Sequence, residues 1–124
     1  MSQSYVQFFR FIFAFNQATK HRVQFFILPY SSTGLVLLAV MLRCRYIFGY
    51  SIENKKIKVF LNYINKVLPV SHLIPRVNRL SPIFHSLKDL KNNAVYLSDK
   101  GIYSTEEMRL FKLGGLLLFE IVLI

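Results

Sequence analysis

Catalysis by side chains needs a nucleophile, an acid or a base held beside a partner, and this sequence offers few such groupings. Its three histidines, His21, His72 and His85, are scattered, with no Cys or carboxylate at metal-ligand spacing. The lone Cys44 lies in Met-Leu-Arg-Cys-Arg-Tyr, which has no nucleophile signature, and one cysteine excludes an internal disulfide framework. The sequence therefore predicts no catalytic residue, no metal, no cofactor and no small-molecule substrate. The groups present in number are cations. Sixteen Lys and Arg face six acids, for a formal net charge of +10, and residues 1–52 contain no acid. The chemistry such residues perform is anion binding, and a small basic chain fits nucleic acid or a lipid surface.

Hydropathy bears on insertion into a membrane. The longest apolar runs are Thr33–Leu42 and Leu113–Phe119, well short of the roughly 18–20 residues that a spanning helix needs. No transmembrane insertion is expected. A small membrane-associated organellar subunit, using basic charge against lipid headgroups, is the alternative. With 53% hydrophobic residues, 12 Phe and 7 Tyr, the chain can bury a core. Met1–Phe15 carries a single Arg10 and resembles neither a secretory signal nor a mitochondrial import sequence. Heavy use of Phe, Tyr, Ile, Asn and Lys without Trp looks like an AT-rich gene. These features predict synthesis inside an organelle, the mitochondrion first and the plastid as the alternative.

The elements that must position these charges follow from periodicity. Tyr5, Phe8, Phe9, Ile12 and Phe15 recur at helical spacing and predict a first helix over 4–18. Val23–Leu28 reads as a short strand, and Ser31 and Ser32 can cap a second helix through Leu42 or Cys44. Tyr46–Ile52 and the alternating Ile57, Val59, Leu61 and Tyr63 flank the polar turn Glu53-Asn54-Lys55-Lys56 as a hairpin. Lys55, Lys56 and Lys58 are expected on its solvated face. Asn65–Pro69 marks a boundary. Val70–Val77 and Asn93–Leu97 read as strands, and Ser98-Asp99-Lys100-Gly101 as a turn. Ser104 and Glu107 form a capping box for a short helix, Thr105–Lys112. Gly114-Gly115 stops that helix, and Leu116–Leu123 is a last strand. The expected class is α/β (α+β) in two small modules: 1–64 as α-β-α-β-β, and 65–124 mainly β with one short helix.

Read in order, these pieces resemble the ribosomal S-eight family (small-subunit protein eight). That family carries Arg-Val-Ser-Arg-Pro-Gly, then a Ser-Thr-Ser-Lys-Gly loop, a Thr-capped helix containing Ala-Arg, and a Gly-Gly-Glu turn into the last strand. Here Arg76-Val77-Asn78-Arg79, Leu97-Ser98-Asp99-Lys100-Gly101, Ser104 with Met108-Arg109, and Gly114-Gly115-Leu116 stand in those places at matching separations. Asn16, Leu28-Pro29-Tyr30-Ser31, Tyr46-Ile47-Phe48-Gly49-Tyr50 and Leu61-Asn62-Tyr63 extend the likeness to the first half. The chain departs from the pattern at Leu80-Ser81 for Pro-Gly, His85 for a tyrosine, Leu97 and Asp99 for hydroxyl residues, and Leu116 for the glutamate.

The resemblance implies a structural part of the small ribosomal subunit, bound to the central domain of small-subunit ribosomal RNA beside neighbouring ribosomal proteins. The residues expected to face RNA are Arg76, Arg79, His85, Ser98, Asp99, Lys100, Gly101, Lys112 and Gly114. A Gly-terminated turn brings amides close to a partner, Ser98 offers a hydroxyl and Lys100 a charge for phosphate. Leu113–Glu120 also resembles the signature helix of LAGLIDADG homing endonucleases. Leu118 and Ile121 replace its other acid and its packing glycine, so that reading is rejected.

Overall fold

The computed structural model describes residues 3–77 and 84–124. Its elements run α1 (Gln3–His21), β1 (Phe25–Pro29), α2 (Ser32–Arg43), β2 (Ile47–Glu53), β3 (Lys56–Leu61), β4 (Val70–Pro75), β5 (Phe84–His85), a 3-10 turn at Leu87–Asp89, β6 (Ala94–Ser98), β7 (Gly101–Ser104), α3 (Thr105–Leu110) and β8 (Gly115–Leu123). The fold is α+β, with a helical N-terminal part and a mainly β C-terminal part. Two compact units emerge, 1–73 with 123–124, and 74–122. The expected boundary at Asn65–Pro69 falls inside the first, because Leu68, Val70 and Leu73 are buried there.

In the first unit α1 buries Phe8, Phe11, Ile12, Phe15 and Ala18, a stripe at helical spacing. Phe11 belongs to that stripe and Phe9 is only half-buried, a shift of the face expected from the aromatic spacing alone. α2 starts at Ser31, whose hydroxyl accepts the Gly34 amide at 2.9 Å, as the sequence suggests. The antiparallel sheet has the order β1-β3-β2, and Ile57, Val59 and Leu61 of β3 point inward. Each fully buried side chain of this kind contributes about 1.5–3 kcal/mol. Asn16 closes the unit from α1. Its amide donates to the Leu73 carbonyl at 2.9 Å and accepts the Leu73 N–H at 2.7 Å, replacing a strand neighbour for that residue.

The corners of the chain are unusual. Arg22, Arg45 and Lys112 follow α1, α2 and α3 with φ of 53°, 62° and 57°. In each case the next residue reaches back over the last turn, Val23 to Ala18, Tyr46 to Met41 and Leu113 to Met108. That is the Schellman arrangement, whose left-handed position most often takes glycine. The two-residue loops Asn54-Lys55 and Asn65-Lys66 have positive φ at both positions, as type I′ hairpin turns require. Five Lys or Arg thus hold conformations that cost an L-residue about 1 kcal/mol each.

In the second unit β8 pairs with β6 and with β5, and β6 pairs with β7. Leu90, Ala94, Tyr96, Met108 and Leu117 form its core. The capping box of Ser104 and Glu107 is present and starts α3, which ends at Leu110. Thr105 ties that helix to the sheet, donating to the Lys91 carbonyl at 2.6 Å and accepting the Ala94 amide at 3.0 Å. Gly101–Ser104, read from the sequence as the end of a turn and a cap, is the strand β7.

Candidate nucleic-acid interface

Strand register builds a row of apolar side chains across the second sheet. Phe84 of β5 faces Leu116 of β8, Leu116 pairs with Leu97 of β6, and Leu97 pairs with Ile102 of β7. Phe84 is 67% exposed and Leu97 41%, so this row is a surface and not a second core. It floors an open concavity of about 450 Å³, whose walls include Ser98, Asp99 and Gly114. Leu97 and Leu116, two of the positions where the chain departs from the S-eight pattern, are direct cross-strand partners.

The rim depends on close backbone approaches. A Cβ on Gly115 would lie 2.5 Å from the Leu97 carbonyl oxygen, and one on Gly114 would lie 2.8 Å from that of His85. No side chain fits either place, so the two glycines set how near β8 comes to its neighbours. At the other wall the β6–β7 hairpin turns through Asp99 and Lys100, and Gly101 absorbs the bend at a φ of 139°. The Ser98 hydroxyl donates to the Gly101 carbonyl at 2.9 Å and accepts the Lys100 amide at 3.1 Å. It is buried and closes the turn, where the sequence suggested a hydroxyl offered to RNA. Asp99 and Lys100 are the exposed groups of this turn.

The other expected residues lie elsewhere. Arg76 follows β4 and its Nε donates to Glu120, which Lys91 also approaches at 4.0 Å. The Arg76 side chain is 43% exposed, so the pair is worth at most about 1 kcal/mol and leaves the guanidinium within reach of solvent. Arg79 lies outside the described residues, as does the whole of the expected Asn78–Pro82 stretch. His85 is half-buried: its Nδ1 lies 3.1 Å from the Asp89 carbonyl, and its ring meets Tyr96 edge-on at 5.7 Å. Since a carbonyl only accepts, Nδ1 carries the proton, and Nε2 is buried with no hydrogen-bond partner among the described residues. His85 is thus a strut between β5 and the 3-10 turn. Tyr96, fully buried, accepts the Lys91 amide through its hydroxyl at 2.7 Å. Burial raises its pKa above the ordinary phenol value, although that bond works in the other direction. Lys112 is exposed at the end of α3.

The site therefore joins an apolar floor to a turn presenting one carboxylate and one ammonium. Sequence reasoning missed Phe84 altogether. It read Leu97 and Leu116 only as departures from the family pattern, although an apolar pair is a contact surface in its own right. Among the described residues no three His, Cys, Asp or Glu come together as a metal site, and no helix is long and apolar enough to cross a membrane. No protein-family model matches the chain, and no curated protein matches it either.

Proposed function

We propose that the chain is a structural RNA-binding protein of the small ribosomal subunit, acting in the mitochondrion and performing no chemistry. What supports the reading is the meeting of Ser98, Asp99 and Gly114 around one concavity. They come from two separate motifs of the S-eight resemblance, and no property of either motif alone requires them to meet. In this reading the partner is the central domain of small-subunit ribosomal RNA, with other small-subunit proteins beside it. Phosphate neutralisation and release of condensed counterions supply most of the affinity. The concavity supplies fit: Phe84, Leu97 and Leu116 lie against ribose or an unstacked base, and Lys100 meets phosphate at the rim. The bound protein fixes the relative orientation of RNA helices during assembly.

The test is a titration of the full chain with a transcript of the central domain at several salt concentrations. A transcript of equal length from another domain serves as competitor. The expected result is tighter binding to the central domain, with log K falling linearly as log salt rises. Equal affinity for both transcripts would refute the reading.

A further inference from the structure

We infer that the first unit carries its own contact for the RNA phosphate backbone, in a concavity lined by Lys20, Arg22 and Lys66; this rests on the RNA-binding reading above. The concavity has a volume of about 310 Å³ and lies between the end of α1 and the Asn65-Lys66 turn. Lys66 is far from Lys20 and Arg22 in sequence and meets them only through the fold. Residues 1–73 hold a single acid, Glu53, which stands opposite Lys56 on the β2–β3 hairpin and does not line the concavity. The concavity's lining, which includes the last residue Ile124, has three cationic side chains and no Asp or Glu side chain.

Two further observations describe the site. Thr19 and Tyr63 also line the concavity, and their hydroxyls donate to the Asn16 carbonyl at 3.0 Å and the Val23 carbonyl at 2.7 Å. A hydroxyl that donates can still accept, and acceptors among cations suit a ribose phosphate, whose 2′-hydroxyl donates while its phosphate takes the charge. A phosphatidylserine headgroup also carries a donor beside its phosphate, so the choice of RNA follows from the proposed function. The second observation is conformational. Arg22 and Lys66 hold left-handed backbone, with φ of 53° and 66°, where glycine would be cheapest. Arg45, Lys55 and Lys112 hold the same conformation away from this concavity, so the left-handed backbone sets where these two cations stand without itself marking a ligand. The negative end of the α1 dipole favours a cation at Arg22, but no helix ends at Lys66.

Binding of the full chain to a labelled RNA hairpin, measured across salt concentrations, tests this. The triple variant Lys20→Gln/Arg22→Gln/Lys66→Gln is expected to lower the salt slope by about one for each phosphate left without its cation. The control Lys55→Gln/Lys56→Gln/Lys58→Gln removes the same charge from the hairpin and is expected to change the slope less. Lys66→Gly separates the effects of charge and fold. It should raise the melting temperature by relieving the turn, yet weaken RNA binding. Equal losses in both triple variants would mean a diffuse field without a site and would overturn the inference. So would an unchanged slope in the concavity variant, or a loss confined to phosphatidylserine vesicles with RNA binding intact. A wild-type chain that binds the hairpin without salt dependence would instead sink the RNA-binding reading itself.

Discussion

The two units of this chain divide charge and shape between them. The first holds nine Lys and Arg and one acid, the second seven and five. Yet the concavity built by strand register, with its glycine-dependent close approaches, belongs to the second. The unit with the stronger field carries cations on left-handed corners and around a concavity lined by Lys20, Arg22 and Lys66. The more nearly neutral unit has the shaped surface. For an RNA-binding protein this is a physical division of labour. Phosphate contacts supply salt-dependent affinity without sequence information, while a fitted surface selects a particular place on the RNA.

The largest effect expected is on the shaped surface. Gly115→Ala forces a Cβ against the Leu97 carbonyl oxygen and should destabilise the second unit by about 3 kcal/mol, as overpacked cores do. Chemical denaturation followed by near-ultraviolet dichroism of the tyrosines checks this, and an unchanged midpoint would mean that β6 and β8 separate easily. In the first unit the corresponding weak point is polar. Asn16→Ala removes both bonds to Leu73 and should cost about 2 kcal/mol, mostly through the stranded Leu73 amide. Hydrogen exchange at Leu73 would report it directly, and slow exchange in the variant would show that another group takes over.

The next two effects are on binding and leave stability nearly alone. Phe84 is 67% exposed, so Phe84→Ala should not shift the melting temperature, yet should weaken RNA binding by about 1–2 kcal/mol if a base stacks on it. The smallest effect is at Asp99, whose exposed carboxylate sits beside Lys100. Asp99→Ser should weaken binding by about 1 kcal/mol through loss of a charge-assisted bond to an RNA hydroxyl or amino group. Tighter binding at low salt would instead assign Asp99 to repulsion that Lys100 offsets.

What the sequence made legible was local. The Ser31 cap, the Ser104–Glu107 box and the alternation of Ile57, Val59 and Leu61 each depend on neighbours a few residues apart, and each is present. Meetings decided by register were not legible. Nothing in Leu97 or Leu116 alone announces that they pair, or that Phe84 completes their row. The Ser98 hydroxyl faces inward because the hairpin brings the Gly101 carbonyl to it, a consequence of turn geometry and not of residue type. Likewise the acid-free first half is plain in the sequence, but the concavity that gathers Lys20, Arg22 and Lys66 is not. It needs the left-handed corner after α1 and the type I′ turn at Asn65-Lys66.

The most direct test is to crosslink the protein in the cell and sequence any RNA that it carries. Crosslinks from the Asp99–Lys100 turn and from Phe84 to the central domain of small-subunit ribosomal RNA are the expected result. Crosslinked nucleotides that are absent or scattered over unrelated RNAs would contradict it.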